Sequence, residues 1–140
     1  MIDVLLAMAL ALQPAEAQCN AATAAPLPAG CTAWRPLFQN AEAQVFADHG
    51  SVRRNPGGFD LVVRMVFAAD RPGGMRSGVL TYRFDCAGAT TTLLHARYFN
   101  AGGGLLAEGP PRNARPLPSP AGSPNRLALD LFCPAPAPAR

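Results

Sequence analysis

Two turns of nearly the same sequence, Asn55-Pro56-Gly57-Gly58 and Arg71-Pro72-Gly73-Gly74, bracket a stretch in which every second residue is large and apolar. Phe59, Leu61, Val63, Met65 and Phe67 recur at period two, with Asp60, Val62, Arg64 and Val66 between them. Side chains of a strand alternate between its faces, so Phe59 to Phe67 is expected to be a strand with one apolar and one half-polar face. The flanking prolines and glycines impose tight reversals. Strands joined so closely must pair antiparallel, because a parallel pair needs a crossover of a dozen residues or more.

The same grammar runs through the rest of the chain. Trp34 to Phe38 and Gln44 to Phe46 are expected strands joined around Gln39-Asn40, and Ser51 to Arg54 leads into the first turn. Beyond the second turn, Leu80, Tyr82, Phe84 and Cys86 share one face, and Ser77, Thr81, Arg83 and Asp85 the other. Ala87-Gly88 reverses the chain. Thr90 to Phe99 then sets Leu94, Ala96 and Tyr98 opposite Leu93, His95 and Arg97. Ala101 to Gly104 is a further turn, and Leu105 to Ala107 a short closing strand.

Pro110 to Pro120 is too rich in proline for a helix or a sheet interior and reads as an extended connector. One helix follows: Ser123 can cap it, Pro124 suits its first position, and no breaker occurs before Pro134. Leu129, Phe132 and Cys133 fall at i, i+3 and i+4, on the side that must face the sheet. The expected fold is therefore α+β, mainly an antiparallel β-sheet meander with one C-terminal helix packed on one face.

The first residues place this fold outside the cytoplasm. Val4 to Leu12 is an apolar run that rises only ~14 Å as a helix, against a hydrocarbon core of ~30 Å, so it does not span a membrane. Ala15-Glu16-Ala17 supplies the small-x-small pattern of a signal-peptidase site, so residues 1–17 read as a signal peptide. Cys19 lies just beyond, but Glu16, Ala17 and Gln18 do not form a lipobox, and no lipid anchor is expected.

Cys19, Cys31, Cys86 and Cys133 are an even set in an exported chain and read as two disulfides, for which three connectivities exist. Cys19–Cys31 with Cys86–Cys133 is the favoured set. The first closes an N-terminal segment, residues 18–32. The second tethers the helix to the sheet within a domain of residues 33–133, and residues 134–140 form a Pro/Ala-rich tail.

Chemistry-bearing constellations are sparse. No serine lies in G-x-S-x-G, and His49 and His95 stand 46 residues apart with no ligand spacing around them. Gly102 to Ala107 matches G-x-G-x-x-A, but Gly109-Pro110-Pro111 leaves no room for the helix that this fingerprint requires. The absence of lysine excludes a P-loop. No catalytic residue, metal site or cofactor is expected. The net charge of +3 becomes +5 once Asp3 and Glu16 leave with the signal, and all twelve basic residues are arginines dispersed along the chain, which does not point to nucleic acid. Arg64, Arg83 and Arg97, with His95, fall on the less apolar faces of strands that can be neighbours. Together they form a candidate patch for a protein or anionic surface ligand.

One ordered set of segments resembles the surface-adhesin protein E family of bacterial exported proteins. It runs from Trp34-Arg35-Pro36-Leu37 through Val45-Phe46-Ala47-Asp48 and Ser51-Val52-Arg53 to Val62-Val63-Arg64-Met65 and Arg76-Ser77. It continues through Tyr82-Arg83-Phe84-Asp85-Cys86 and ends with Leu129-Asp130-Leu131-Phe132-Cys133. The resemblance implies an antiparallel sheet with a C-terminal helix disulfide-tethered across one face. It also implies adhesion to host matrix and pairing as a homodimer. The chain departs from the family in lacking the lipobox, and in having Ala114-Arg115-Pro116-Leu117 where many relatives carry a tryptophan.

The expectation that follows is a non-enzymatic interaction domain, periplasmic, secreted or at the cell surface. A small-ligand binder would instead need an apolar pocket between helix and sheet. A hydrolase would need His49 or His95 beside a nucleophile or a metal.

Overall fold

The structure is a computed structural model that describes residues 33–134. The expected signal peptide, the expected Cys19–Cys31 pairing and residues 135–140 lie outside the described residues. Eight strands form one antiparallel sheet: β1 (Trp34–Gln39), β2 (Ala43–Asp48), β3 (Arg53–Asn55), β4 (Gly58–Arg71), β5 (Met75–Asp85), β6 (Thr90–Asn100), β7 (Leu105–Gly109) and β8 (Leu117–Pro118). The order across the sheet is β1-β2-β4-β5-β6-β7, with β3 continuing the line of β2 along β4 and β8 continuing the line of β7 along β6. One helix, α1 (Pro124–Phe132), follows.

The period-two pattern decides which face is buried. Phe59, Leu61 and Val63 of β4 meet Phe84, Tyr82 and Leu80 of β5 across the ladder. All but Tyr82 are buried. The rings of Phe59 and Phe84 stack with centroids 4.7 Å apart, and Phe132 of α1 closes over Phe59 at 5.4 Å. Ala128 and Leu129 bring the helix onto this cluster, and each large side chain so buried contributes about 1.5–3 kcal/mol. As expected, the Ser123 hydroxyl accepts from the Arg126 N–H and Pro124 opens the helix. The Cys86–Cys133 bridge fastens the last turn of α1 to the end of β5.

Local detail refines the sequence reading at two places and corrects it at a third, in β6. Within the lead into the first turn, His49–Ser51 is a single 3-10 turn, which Asp48 caps by accepting from the Gly50 N–H, and the strand starts at Arg53. In β6 the pairing shifts between Thr81↔His95 and Tyr82↔Leu93, leaving Leu94 as the extra residue of a β-bulge. Leu93 therefore packs on the core face with Ala96 and Tyr98, instead of opposite them. The proline-rich connector also contributes to the sheet. Leu117 and Pro118 pair with Thr91 and Thr90 at the edge, and the Thr91 and Ser119 hydroxyls bond at 2.6 Å.

The strand axis gives the molecule two unlike ends. At one lie the three tight turns after β1, β4 and β6. At the other lie Ala33, the disulfide and the C-terminal end of α1, where the Phe132 carbonyl accepts from the Arg54 guanidinium. The helix covers one face of the sheet. The opposite face carries no element among the described residues.

Candidate interaction face

The helix-free face is laid out in rows that run across the strands. One row reads Arg53, Asp60, Arg83 and Thr92; the next Val62, Thr81 and His95; the next Pro36, Phe46, Arg64, Val79, Arg97 and Glu108. Val66, Ser77 and Phe99 follow. The register thus brings Arg64, Arg83, Arg97 and His95 onto a single face, and the β6 bulge leaves His95 and Arg97 on the expected side. Arg64 and Arg97 stand two strands apart, about 10 Å, with Val79 between them.

The charges on this face are not equivalent. Arg83 is held bidentately by Asp60, at 2.9 and 3.0 Å, and these hydrogen bonds raise its pKa above the ordinary value. Arg97 lies 2.6 Å from Glu108 and over the Phe99 ring. Arg64 is exposed, and no carboxylate among the described residues pairs with it. Around it Phe46, Val62, Val66 and Val79 are half-buried, so an apolar floor surrounds one cation. Arg53 joins the same face, opposite Asp60. Sequence reasoning found three of the four arginines. It placed Asp60 on the face but did not pair it with Arg83, and it missed Arg53 and Glu108, because these follow only from strand register.

The other chemistry-bearing residues are engaged structurally. Ser51 lies close in sequence to Asp48 and His49, but its hydroxyl donates to the Asp48 carbonyl and accepts from the Val62 N–H. The Asp48 carboxylate accepts from the Ala33 and Gly50 N–H groups. The His49 ring stands edge-on to Phe132 at 5.0 Å; its pKa is lowered by burial and by Arg35, against an opposing pull from Asp48. His95 faces Thr81, with Ser77 four residues along β5, about 13 Å away. On the helix side, burial and then Tyr98 raise the Tyr82 pKa. Among the described residues no three His, Cys, Asp or Glu side chains converge as metal ligands would.

The space between α1 and the sheet, which a small-ligand binder would use, is filled by Ala128, Leu129 and Phe132 packed on Phe59 and Phe84. Two open hollows of about 770 and 600 Å³ flank the disulfide instead, one beside Arg126 and Asp130, the other beside Arg54 and Leu131.

A sequence model of the family described as surface-adhesin protein E matches residues 34–134, from the first strand to just past the bridged helix. No curated protein and no solved structure matches the chain.

Proposed function

The chain belongs to the surface-adhesin protein E family, and from that premise we propose that it is an exported, non-enzymatic interaction domain that docks a macromolecular partner on the helix-free face of its sheet. One observation carries this reading. The sheet buries one face under α1, while the other presents Phe46, Val62, Val66 and Val79 half-exposed around Arg64. Aromatic residues and arginine on an apolar floor are the composition enriched at protein interfaces.

Export rests on the signal-peptide pattern of residues 1–17 and on cysteine usage; residues 18–32 are taken as a second disulfide-closed segment. No helix among the described residues is long and apolar enough to cross a membrane. With no lipobox, the mature chain is proposed to be periplasmic or released, and pairing as a homodimer remains part of the proposal.

The test begins with the protein recovered from periplasm and medium. Intact mass should give Gln18 as the first residue, and peptide mapping should find Cys19 joined to Cys31. Binding to immobilised matrix proteins should then survive His49→Ala, whose ring packs against Phe132 of the helix, but fall with Thr81→Arg, which places a bulky side chain at the centre of the bare face. Partner binding indifferent to Thr81→Arg would sink the assignment of the face.

A further inference from the structure

Resting on that assignment, we infer that the partner is a protein whose surface presents carboxylates around an apolar patch, with one carboxylate seated on Arg64. Of the four arginines on this face, Arg83 and Arg97 each have a carboxylate within 4.0 Å, while Arg53 and Arg64 have none among the described residues; of these two it is Arg64 that stands among half-buried apolar side chains. It also holds the interior position. On β4 it lies between Phe46 of β2 and Val79 of β5, with Val62 and Val66 two residues away on its own strand. A guanidinium on such a floor loses water when a partner docks. A charge pair is then far stronger than at an exposed rim, and a planar fork suits bidentate carboxylate recognition.

The fixed charges around it discriminate between occupants. Asp60 lies four residues along β4 from Arg64, and Glu108 lies three strands away in Arg64's own row; they tie down Arg83 and Arg97. A polyanion laid along β4 would meet Asp60 and one laid along Arg64's row would meet Glu108, and like charges brought together oppose binding. A second copy of the chain docking by a twofold axis through this patch would bring two Arg64 side chains toward each other. A protein with acidic groups at intervals and apolar surface between them can meet Arg64, avoid Asp60 and Glu108, and cover the valines. The geometry excludes neither Arg83 nor Arg97 from contact, but each already spends its guanidinium on a neighbour.

The probes are an amphipathic helical peptide with a leucine face ringed by glutamates, poly-glutamate, and heparin, titrated against the mature disulfide-intact protein and its variants. The peptide should bind more tightly than either polyanion. Arg64→Glu should weaken it by about tenfold or more, and Arg64→Lys by less. Circular dichroism would confirm that each variant is folded; the site is exposed, so little stability should be lost. If the folded protein fails to bind the peptide, or if Arg64→Glu leaves binding unchanged while Thr81→Arg abolishes it, this inference fails and the face assignment survives. Heparin binding that exceeds peptide binding and strengthens in Thr81→Arg would make the occupant a polyanion and overturn it. Concentration-dependent dimerisation blocked by Thr81→Arg would make the occupant a second copy, with the same consequence. Peptide binding indifferent to both substitutions would remove the face assignment itself.

Discussion

A Cβ added at Gly58 would overlap the Phe84 carbonyl oxygen, backbone that belongs to the neighbouring ladder strand and cannot step aside. Gly78 is a different case: a Cβ there would meet the Tyr98 ring at 3.0 Å, and a ring can tilt. Gly58→Ala should therefore cost about 3 kcal/mol or more, while Gly78→Ala should fall within about 1 kcal/mol of the parent. Urea titration of the oxidised proteins measures both. His49 supplies a second test at this scale. Burial lowers its folded pKa below the unfolded value of 6.5, so the neutral ring is the form that folding favours. Its contribution is complete above about pH 6.5 and is lost as pH falls through the folded pKa, because the unfolded chain then binds the extra proton. The parent should consequently lose more melting temperature between pH 7.5 and 5 than His49→Gln does, with the carboxylates common to both cancelling. Equal losses would show that the Phe132 contact does not depend on the neutral ring.

Among the elements, the β4–β5 hairpin shows how a side chain can stand in for ladder. Pairing runs to Val66↔Ser77 and resumes only at Arg71↔Met75. Across the gap the Arg76 guanidinium donates to the Phe67 and Ala68 carbonyls, at 2.7 and 3.0 Å, and reaches Asp70 at 3.2 Å. Arg76→Ala should lower stability by about 1–2 kcal/mol and speed amide exchange at the turn end of the hairpin, away from the helix; Arg76→Lys, with no fork, should restore only part. The sequence made this strand pair legible, since β4 alternates strictly between two Pro-Gly-Gly turns. It also made α1 legible, through Ser123, Pro124 and the spacing of Leu129, Phe132 and Cys133. The β6 bulge was not legible: Leu93 and Leu94 are equally apolar, so the pattern does not say which is the extra residue. β8 was hidden for another reason. Leu117-Pro118 has no local strand signal and acquires one only from distant Thr90 and Thr91. The Arg83–Asp60 and Arg97–Glu108 pairs likewise depend on register across strands, and the candidate face could be read only in outline.

For the whole molecule, the Cys86–Cys133 bridge closes a loop of 47 residues and, on the chain-entropy account, contributes about 4 kcal/mol. Domains of this size have total stabilities of about 5–15 kcal/mol, so replacing both cysteines with serine should move the urea midpoint by a large fraction of its value. The variant should still bind its partner wherever it remains folded, since the bridge lies under the helix and the proposed docking residues lie on the other side of the sheet. Binding lost in a folded Cys86→Ser, Cys133→Ser protein would place the docking surface on the helix side. The two unlike ends of the strands carry a practical consequence. Ala33 and the disulfide gather at one end and the tips at Asn40–Glu42, Pro72–Gly74 and Ala101–Gly104 at the other. A coupling group or display scaffold attached beyond either Ala33 or Pro134 meets the sheet at the first end. Short epitopes inserted at the glycine-rich tips would then stand out from the opposite end, clear of both the attachment and the packed core.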